Sequence, residues 1–391
     1  MKPSRSVEPL GTVANICIFL QPQRPTLDEK PGLGDIISRN LGLALIAQRF
    51  PSARICLVTS RRLIRKYGEF FLNHAYIHEL IPCPEAGEYS PLRWLAFVLR
   101  MRARRFDLCV IDAGSRSAIQ AYLCGIPERI GAATSALEAR LLTRRISARP
   151  DNSPQRQLGP DLLDYAAGFA KTLRVSSFDP KTLVPRFPFR QETLPELEAT
   201  RPRFAVHAGG APHWNRRWPP ESYAYLCTLL VRKYGATLYL LGGTDDREEV
   251  QRLRLHIVQH GVSADKVHDC TNTTLNQMAN YVNAADLFIG NDSSLMHMAA
   301  ALGKPIVVIC GPGNPFLWER AYPGLTVVSR RWECQLITHF SVRRHYERTI
   351  SCADRKCPYA YNPRAPVYPA CLTSISVDEV ARAVEHAIIR L

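Results

Sequence analysis

Apolar runs and amphipathic stretches alternate along this chain. Runs rich in β-branched and aromatic residues predict strands over 15–20, 53–59 and 106–113, and again over 203–210, 237–243, 286–292 and 305–312. Stretches with apolar residues at helical spacing lie over 38–50, 220–235, 246–261 and 293–303. Such alternation predicts right-handed parallel units in a doubly wound sheet. Because the series occurs twice, we expect an α/β protein of two Rossmann-like domains that face a cleft.

The two series are separated by a stretch of weak periodicity over 148–160, a helical segment over 162–173 and a proline-rich segment over 178–195. We therefore place the domain boundary near residue 185, which predicts domains over 1–185 and 186–391. The final segment, 377–391, is a predicted helix that begins with a capping box of Ser376 and Glu379. One possible packing of this helix is back against the N-terminal domain.

Charge indicates the kind of partner. Lys and Arg outnumber Asp and Glu by 50 to 35, a formal net charge of +15, which favours an anionic ligand such as a nucleotide, a phosphorylated glycan or a membrane face. The chain shows no RNA-binding aromatic signature and no zinc-finger spacing, so we expect no nucleic-acid partner. No apolar run approaches the roughly 18 residues that cross a bilayer. We expect a cytoplasmic protein, with peripheral contact at the inner membrane face left open.

The stretch PGLGDIISRN, residues 31–40, follows the first predicted strand. A dinucleotide-binding fingerprint needs three glycines, for the turn, the pyrophosphate approach and the helix packing. Gly32 and Gly34 supply two of them, and Ile37 stands at the third position. The pattern disfavours a Rossmann oxidoreductase and leaves Asp35 as a candidate for chemistry.

Two later segments carry the pattern of a phosphate site. In NDSSLMHMAAALGKPIVVICGP a strand ends at Asn291-Asp292, and Ser293-Ser294 start a helix. The N–H groups and the dipole of a helix start favour a diphosphate, and Asp292 can accept from sugar hydroxyls or cap the helix. In HAGGAPHWNRRWPPESY, Arg216 and Arg217 follow a strand end, and guanidinium groups suit phosphate oxygens.

Four blocks in this order resemble glycosyltransferase family 9, the ADP-heptose heptosyltransferases. The blocks are GDII…ALIAQRFP, FDLCVIDAGSRSAIQAYLCGIPERIGA, HAGG…NRRWPPESY…LYLLGGTDD and NDSSLMHMAAALGKPIVVICGP. The resemblance runs from about Gly32 to Pro312. It implies the GT-B fold, with an acceptor-binding N-terminal domain and a nucleotide-sugar-binding C-terminal domain.

The resemblance also implies roles for single residues. Asp35 falls on the general base that deprotonates the acceptor hydroxyl, Asp292 on an aspartate that contacts the sugar, and Arg216 on a lysine that neutralises the departing nucleotide, with Arg217 as the near alternative. Ser294 stands where the family usually has glycine. The remaining residues expected to contact the nucleotide sugar are Gly34, His207, Gly209, Gly242, Gly243, Asp245, Glu248, Asn291, Ser293, Ser294 and His297.

The expected activity is therefore inverting transfer of a sugar, a heptose by resemblance, from a nucleoside diphosphate (ADP by resemblance) to a hydroxyl. The acceptor is left open among a lipopolysaccharide core, a protein and a natural product. The alternative is a non-catalytic sugar-nucleotide or glycan-binding protein that keeps the fold. A thermal-shift series with nucleotide sugars separates binding of these ligands from binding of NAD.

Cysteines form two groups. Those at 17, 56, 109, 227 and 310 lie inside apolar runs, as buried reduced thiols do. Cys334, Cys352, Cys357 and Cys371 lie in polar, proline-rich sequence, separated by 17, 4 and 13 residues. Four thiolates can hold a structural zinc or iron ion, as in some autotransporter-modifying heptosyltransferases that this tail resembles. Free thiols are the alternative, and we expect the catalysis itself to need no metal.

Overall fold

The structure is a computed structural model, and it describes residues 10–20, 32–84, 90–111, 115–133, 135–147, 161–179, 185–194, 201–210, 216–311, 318–330 and 368–390. The chain divides into two compact units. The first comprises Met1–Pro31, Arg39–Arg149 and Asp164–Leu183, and the second comprises Gly32–Ser38, Pro150–Leu163 and Val184–Leu391. Two short segments inside the predicted range 1–185 thus group with the second unit.

The first unit holds a parallel sheet in the order β3-β2-β1-β4-β5-β6. Its strands are β1 (Asn15–Leu20), β2 (Arg54–Ser60), β3 (Glu79–Cys83), β4 (Leu108–Ile111), β5 (Glu128–Gly131) and β6 (Arg144–Arg145). Its helices are α1 (Leu33–Arg49, whose first turns belong to the second unit), α2 (Arg61–Leu72), α3 (Pro91–Ala103), α4 (Ser115–Leu123), α5 (Ala136–Leu141) and α6 (Leu162–Leu173, whose first two residues group with the second unit).

The second unit repeats this order as β9-β8-β7-β10-β11-β12. Its strands are β7 (Arg203–His207), β8 (Thr237–Leu241), β9 (Val267–Cys270), β10 (Leu287–Asn291), β11 (Ile306–Cys310) and β12 (Leu325–Ser329). Its helices are α7 (Pro220–Tyr234), α8 (Arg247–Gln259), α9 (Leu275–Ala284), α10 (Ser294–Ala301), α11 (Ala370–Thr373) and α12 (Val377–Ile389).

Continuous apolar runs explain why the central strands lie inside. All five residues of β8, β10 and β11 are buried, as expected for strands covered by helices on both faces. In the first unit, Cys17 is in register with Cys56 on one side and Cys109 on the other, and all three thiols are buried. The predictions of two Rossmann-like domains and of buried cysteines in the strands are confirmed.

Both sheets have the strand order of dinucleotide-type Rossmann domains, in which the chain reverses direction across the sheet at one point. In the second sheet this switch point lies between β7 and β10, which pair directly, with Gly290 opposite His207. Ligands bind outside the carboxyl ends of strands at such points. The segments that follow β7 and β10 are therefore where the fold itself places a binding site.

The last helix packs within the second unit, against α7 and the strands β10, β11 and β12. The predicted capping box is present, because Ser376 Oγ accepts from the Glu379 N–H and the Glu379 carboxylate accepts from the Ser376 N–H. Among the helices described, none is both long enough and apolar enough to cross a bilayer.

Candidate functional site

Three loops at the carboxyl edge of the second sheet make up what we call the strand-end site. They follow β7, β8 and β10, and the site also includes the start of α10 and the segment Gly32–Ser38 of the same unit. Most of the candidate residues identified from the sequence lie in these loops and segments. Their side chains separate into a buried frame and a smaller group that keeps hydrogen-bonding capacity.

Asn291, at the end of β10, belongs to the frame. Its Oδ1 accepts from the Trp218 N–H at 3.0 Å and from the Tyr223 hydroxyl at 2.9 Å. Its Nδ2 donates to the carbonyl oxygens of Ala208 at 2.7 Å and Gly209 at 3.0 Å. An amide side chain has two donors and two acceptor positions, so all are used, and Asn291 is fully buried. Asn291 therefore fixes the loop after β7 to the turn at Trp218, and we no longer expect it to contact a ligand.

Asp246 is the centre of the frame, and it lies in the short 3₁₀ helix Thr244–Asp246 after β8. A Cβ at Gly209 would lie 2.4 Å from Asp246 Oδ1, and a Cβ at Gly242 would lie 2.7 Å from Asp246 Cβ. The Gly243 N–H donates to Asp246 Oδ2 at 3.0 Å. Both strand ends thus need glycine because the Asp246 side chain occupies the space between them.

Arg217 also belongs to the frame. Its guanidinium donates to Asp246 Oδ1 at 3.3 Å, to the Gly210 carbonyl at 2.8 Å and to the Glu249 carboxylate. Burial acts to raise the pKa of Asp246, but His207, the Gly243 N–H and Arg217 outweigh it and hold that pKa below its usual value. Burial raises the pKa of Glu249, against the effect of Arg217.

Arg216 differs from its neighbour. Its Nη1 lies 3.7 Å from Asp292 Oδ2, which is an ion pair but too long for a hydrogen bond. The Nε atoms of both arginines are buried without a hydrogen-bond partner within the described part of the chain, but only the terminal nitrogens of Arg217 donate to the frame. Of the two arginines predicted to bind phosphate, Arg216 is therefore the one whose terminal nitrogens remain available to a ligand.

The start of α10 is not capped by a side chain. Ser293 is the N-cap residue, but its hydroxyl lies 2.9 Å from His207 Nδ1 and makes no capping hydrogen bond to the helix. The other ring nitrogen of His207, Nε2, lies 3.7 Å from the Asp246 carboxylate. We therefore assign the proton to Nε2, so that Nδ1 accepts from Ser293. The first N–H groups of α10, including that of Ser294, receive no capping contact from Ser293.

His297 lies on the first turns of α10 among aromatic rings. Its Nδ1 is 2.6 Å from the Tyr322 hydroxyl, and its ring centroid is 5.6 Å from those of Trp318 and Tyr322. Burial lowers the pKa of His297, against the opposing effects of Asp292 and Asp35. Burial also raises the pKa of Tyr322 far above its usual value. We assign the proton of the neutral imidazole to Nε2, so that the protonated Tyr322 phenol donates to Nδ1.

The segment that carries Asp35 lies directly against His297. A Cβ at Gly34 would lie only 2.5 Å from His297 Cδ2 and 3.2 Å from Nε2, so the start of α1 approaches α10 as closely as a glycine permits. Asp35 itself is exposed, and its Oδ2 accepts from the Gly32 N–H at 3.1 Å. The structure thereby brings Asp35 into the same site as Asp292, which also acts electrostatically on His297.

Other predicted residues lie at the rim of the site or elsewhere. Asp245 and Glu248 are exposed, and Glu248 pairs with Arg252 one turn further along α8. Cys371 is buried in the core cluster of the second unit. Cys334, Cys352 and Cys357 lie outside the described residues. Within the described ranges, no three His, Cys, Asp or Glu side chains are grouped so as to hold a metal ion.

Sequence reasoning missed three contributors. Asp246 was not among the residues expected at the site. Its spacing of three from Gly243 is nevertheless that of a residue whose carboxylate can accept from a strand-end N–H. Trp318 and Tyr322 follow a segment without periodic pattern, and no sequence signal connected them with His297. The Trp318 indole nitrogen is buried and has no hydrogen-bond partner in the part of the chain described.

Comparisons with known proteins point to one family. The model of the family described as "Glycosyltransferase family 9 (heptosyltransferase)" matches residues 94–340. The lipooligosaccharide heptosyltransferase 2 of Haemophilus ducreyi is 30% identical over 151 residues, a match that spans 35% of this chain and 43% of that protein. The lipopolysaccharide heptosyltransferase 2 of Escherichia coli is 25% identical over 306 residues, 72% of this chain and 81% of that protein.

A solved structure shows the same fold over nearly the whole length. The ADP-heptose lipopolysaccharide heptosyltransferase II of E. coli superposes with a TM-score of 0.66 at 19% sequence identity, covering 96% of this chain and 99% of that one. The family model covers more than half of this chain and includes the loops after β7, β8 and β10. With two Rossmann-like domains and the strand-end site in place, the chain belongs to glycosyltransferase family 9, the heptosyltransferases, and is a glycosyltransferase.

Proposed function

We propose that this protein transfers a heptose, with inversion, from ADP-heptose to a sugar hydroxyl of a lipopolysaccharide or lipooligosaccharide core. The observation that carries the proposal is the contact between Gly34 and His297, because it places the Asp35 turn against α10, where Asp292 and the uncapped helix start lie. A base and an anion-binding helix start within one site are what displacement of a nucleotide from a sugar requires. The similar proteins named above are heptosyltransferases, and one of them is an ADP-heptose enzyme.

Nucleotide binding follows from the groups that remain available. The first N–H groups of α10 and the guanidinium of Arg216 hold the diphosphate, where the helix dipole favours negative charge. Asp292 accepts from hydroxyl groups of the sugar. Asp245 is exposed on the turn after β8 and accepts from the ribose hydroxyls. Arg217 and Asp246 keep the loops in place without touching the ligand.

The reaction is a single displacement. Asp35 removes the proton of the acceptor hydroxyl as that oxygen forms a bond to the anomeric carbon. The bond from that carbon to the phosphate oxygen breaks on the opposite side, and ADP departs with the electron pair. The Arg216 guanidinium and the α10 N–H groups offset the negative charge that develops on the phosphate, without having to reorient during the step.

The acceptor and the location are further parts of the proposal. The core of a lipopolysaccharide is the acceptor that the names of the relatives support, and it implies work in the cytoplasm at the inner membrane face. A protein or natural-product hydroxyl is the remaining alternative. Transfer to defatted core oligosaccharide, followed by mass spectrometry, tests this choice, since a mass gain of one heptose is expected only for the correct acceptor.

Metal ions enter the proposal only as structural elements. We propose that turnover needs no metal and that Cys334, Cys352, Cys357 and Cys371 hold a structural zinc or iron ion. Cys371 is the member of this set whose surroundings are described, and it is buried. Elemental analysis of the purified protein, together with turnover measured in excess EDTA, tests both statements separately.

The decisive experiment compares Asp35→Asn with Asp378→Asn. Both are exposed aspartates in the first turn of a helix, but Asp378 lies on α12. We expect Asp35→Asn to lower kcat by about 10²–10⁴-fold, the usual contribution of a general base, with the dissociation constant of ADP unchanged. Asp378→Asn should match the wild type in both. If Asp35→Asn keeps kcat within tenfold of wild type, Asp35 is not the base.

A further inference from the structure

Helix α3 of the first unit has a row of leucine side chains that are exposed to solvent instead of packing in the core. Leu92, Leu95 and Leu99 are exposed to 78%, 54% and 54%. Their spacing of three and four places them in one row along the helix. Phe97 and Met101 lie on the opposite side, buried in the core cluster of this unit. The leucine row is therefore not the side by which α3 is held in the fold.

Arginines border the leucine row on both sides. At about 100° per residue, Arg93 and Arg100 fall on one flank of the row and Arg102 on the other. Arg100 and Arg102 donate to backbone carbonyl groups, those of Pro82 and Leu123, and neither forms an ion pair with a carboxylate in the described part of the chain. Neither α3 nor α4 contains an acidic residue.

Helix α4 extends this surface on one side. Arg116, near the start of α4, lies over the Trp94 ring at 5.1 Å, and Arg102, near the end of α3, bonds to Leu123 at the end of α4. The two helices therefore run side by side in the same direction. Tyr122 and Leu123 are exposed at the end of α4. We call the exposed leucines of α3, its bordering arginines and this end of α4 the α3–α4 surface.

We propose that the α3–α4 surface docks this protein on a bilayer that contains anionic phospholipid. A helix that lies in a membrane interface has apolar side chains on one face and arginines or lysines beside them, and arginines near the surface are attracted to anionic headgroups. A contiguous exposed apolar patch on a monomer marks an interaction site. A second copy of this chain fits less well, since a two-fold contact would bring Arg100 and Arg102 of both copies close together.

The inference rests on the proposed function in one respect, because a lipid-borne acceptor gives docking a purpose. Docking itself is a property of the first unit, and it can be measured without nucleotide sugar or acceptor. Failure of docking and failure of heptosyl transfer are therefore separate results.

The test is co-sedimentation of the full chain with vesicles, either phosphatidylethanolamine mixed with phosphatidylglycerol or phosphatidylcholine alone. We expect at least tenfold tighter binding to the anionic vesicles, weakening as salt is added. The variant L92S/L95S/L99S should lose roughly tenfold or more of this binding. Since all three side chains are exposed, the substitutions leave the core intact, and turnover on a water-soluble acceptor should match that of the wild type.

A matched control removes the same number of exposed apolar side chains elsewhere. Leu72, Leu255 and Ile389 are exposed to 58%, 57% and 80%, so L72S/L255S/I389S should bind vesicles as the wild type does. Equal loss in both triple variants would refute a specific surface. So would a wild type that fails to sediment with anionic vesicles, or that binds phosphatidylcholine equally well.

Light scattering after gel filtration tests whether a second copy of the chain covers this surface instead. We expect the wild type and L92S/L95S/L99S to have the same mass in solution. If the wild type assembles and the variant is monomeric, a second copy covers the α3–α4 surface and the proposal is overturned.

Discussion

Replacing Gly34 by alanine should separate the placement of Asp35 from the binding of the nucleotide. The new Cβ would lie 2.5 Å from His297 Cδ2, whereas carbon atoms in contact prefer about 3.5 Å or more. The imidazole cannot easily turn aside, because the Tyr322 hydroxyl holds its Nδ1 at 2.6 Å and the Trp318 ring packs against it. The turn that carries Asp35 must therefore move by about 1 Å.

A displacement of this size is costly for a proton transfer. Misplacing a catalytic group by about 1 Å lowers the rate by about 10²-fold, which corresponds to about 2.7 kcal/mol of activation free energy. The dissociation constant of ADP should stay within about threefold of wild type, a change of less than 0.7 kcal/mol or so, because Arg216 and the start of α10 are unchanged.

Gly32→Ala is the matched control. A Cβ at Gly32 would meet only Asp35 Oδ2, at 3.9 Å, which is an ordinary contact. Neither glycine has a positive φ, so alanine fits both backbone conformations. The assay is steady-state release of ADP from ADP-heptose with a core acceptor, alongside calorimetric titration with ADP. Equal kcat values for Gly34→Ala and Gly32→Ala would refute the reasoning, since the close approach would then have no bearing on catalysis.

Three further substitutions test hydrogen bonds and ion pairs described above. Asp246→Asn should lower the free energy of unfolding by about 1–3 kcal/mol at neutral pH, because the partly buried Arg217 loses one of its two carboxylate partners. Since the pKa of Asp246 is depressed, this contribution is present above the usual pKa of an unfolded aspartate and should disappear as pH falls below it, which urea unfolding across acidic pH will show. Tyr322→Phe leaves Nδ1 of His297 buried without its donor and should cost about 1–3 kcal/mol. The ¹⁵N resonance of Nδ1 should move because its hydrogen bond is lost; unchanged ¹⁵N shifts would contradict the assigned hydrogen bond. Ser376→Ala removes the N-cap of α12 and should cost about 1 kcal/mol in thermal unfolding, without effect on kcat.

Sequence patterns predicted the central strands of each sheet and missed the outer ones. β1, β8, β10 and β11 read as continuous apolar runs because helices cover both of their faces. The missed strands are β3, β5, β6, β9 and β12, which are short and only partly buried. β3 even contains Pro82, a residue that argues against a central strand. Their pairing comes from their place in the sheet, which local sequence does not encode.

Helix α3 escaped prediction for a related reason. Its apolar residues occur on nearly every side, so no face stands out at helical spacing. The same feature that concealed the helix in the sequence produces the exposed leucine row in the structure.

The position of the strand-end site was predictable from the order of the strands. Residues directly after β7, β8 and β10 had to meet at one edge of the sheet, and Asp292 and the glycines lie there. Strand order could not show which of two adjacent residues contacts the ligand and which holds the loops. Arg216 and Arg217, like Asp245 and Asp246, are chemically alike and adjacent. The direction of one turn decides which member points into the protein.

Gly209, Gly242 and Asp246 share one small volume, although they lie on separate loops. A side chain added at Gly209 would take space that the Asp246 carboxylate fills, and one added at Gly242 would meet the Asp246 Cβ. Alanine at either glycine should therefore be harmful in this chain. At Gly209 it should become tolerable after Asp246 has been replaced by alanine, whereas at Gly242 it needs glycine at position 246. The order in which substitutions arrive then matters at these positions, and engineering of this loop cluster must change them in pairs.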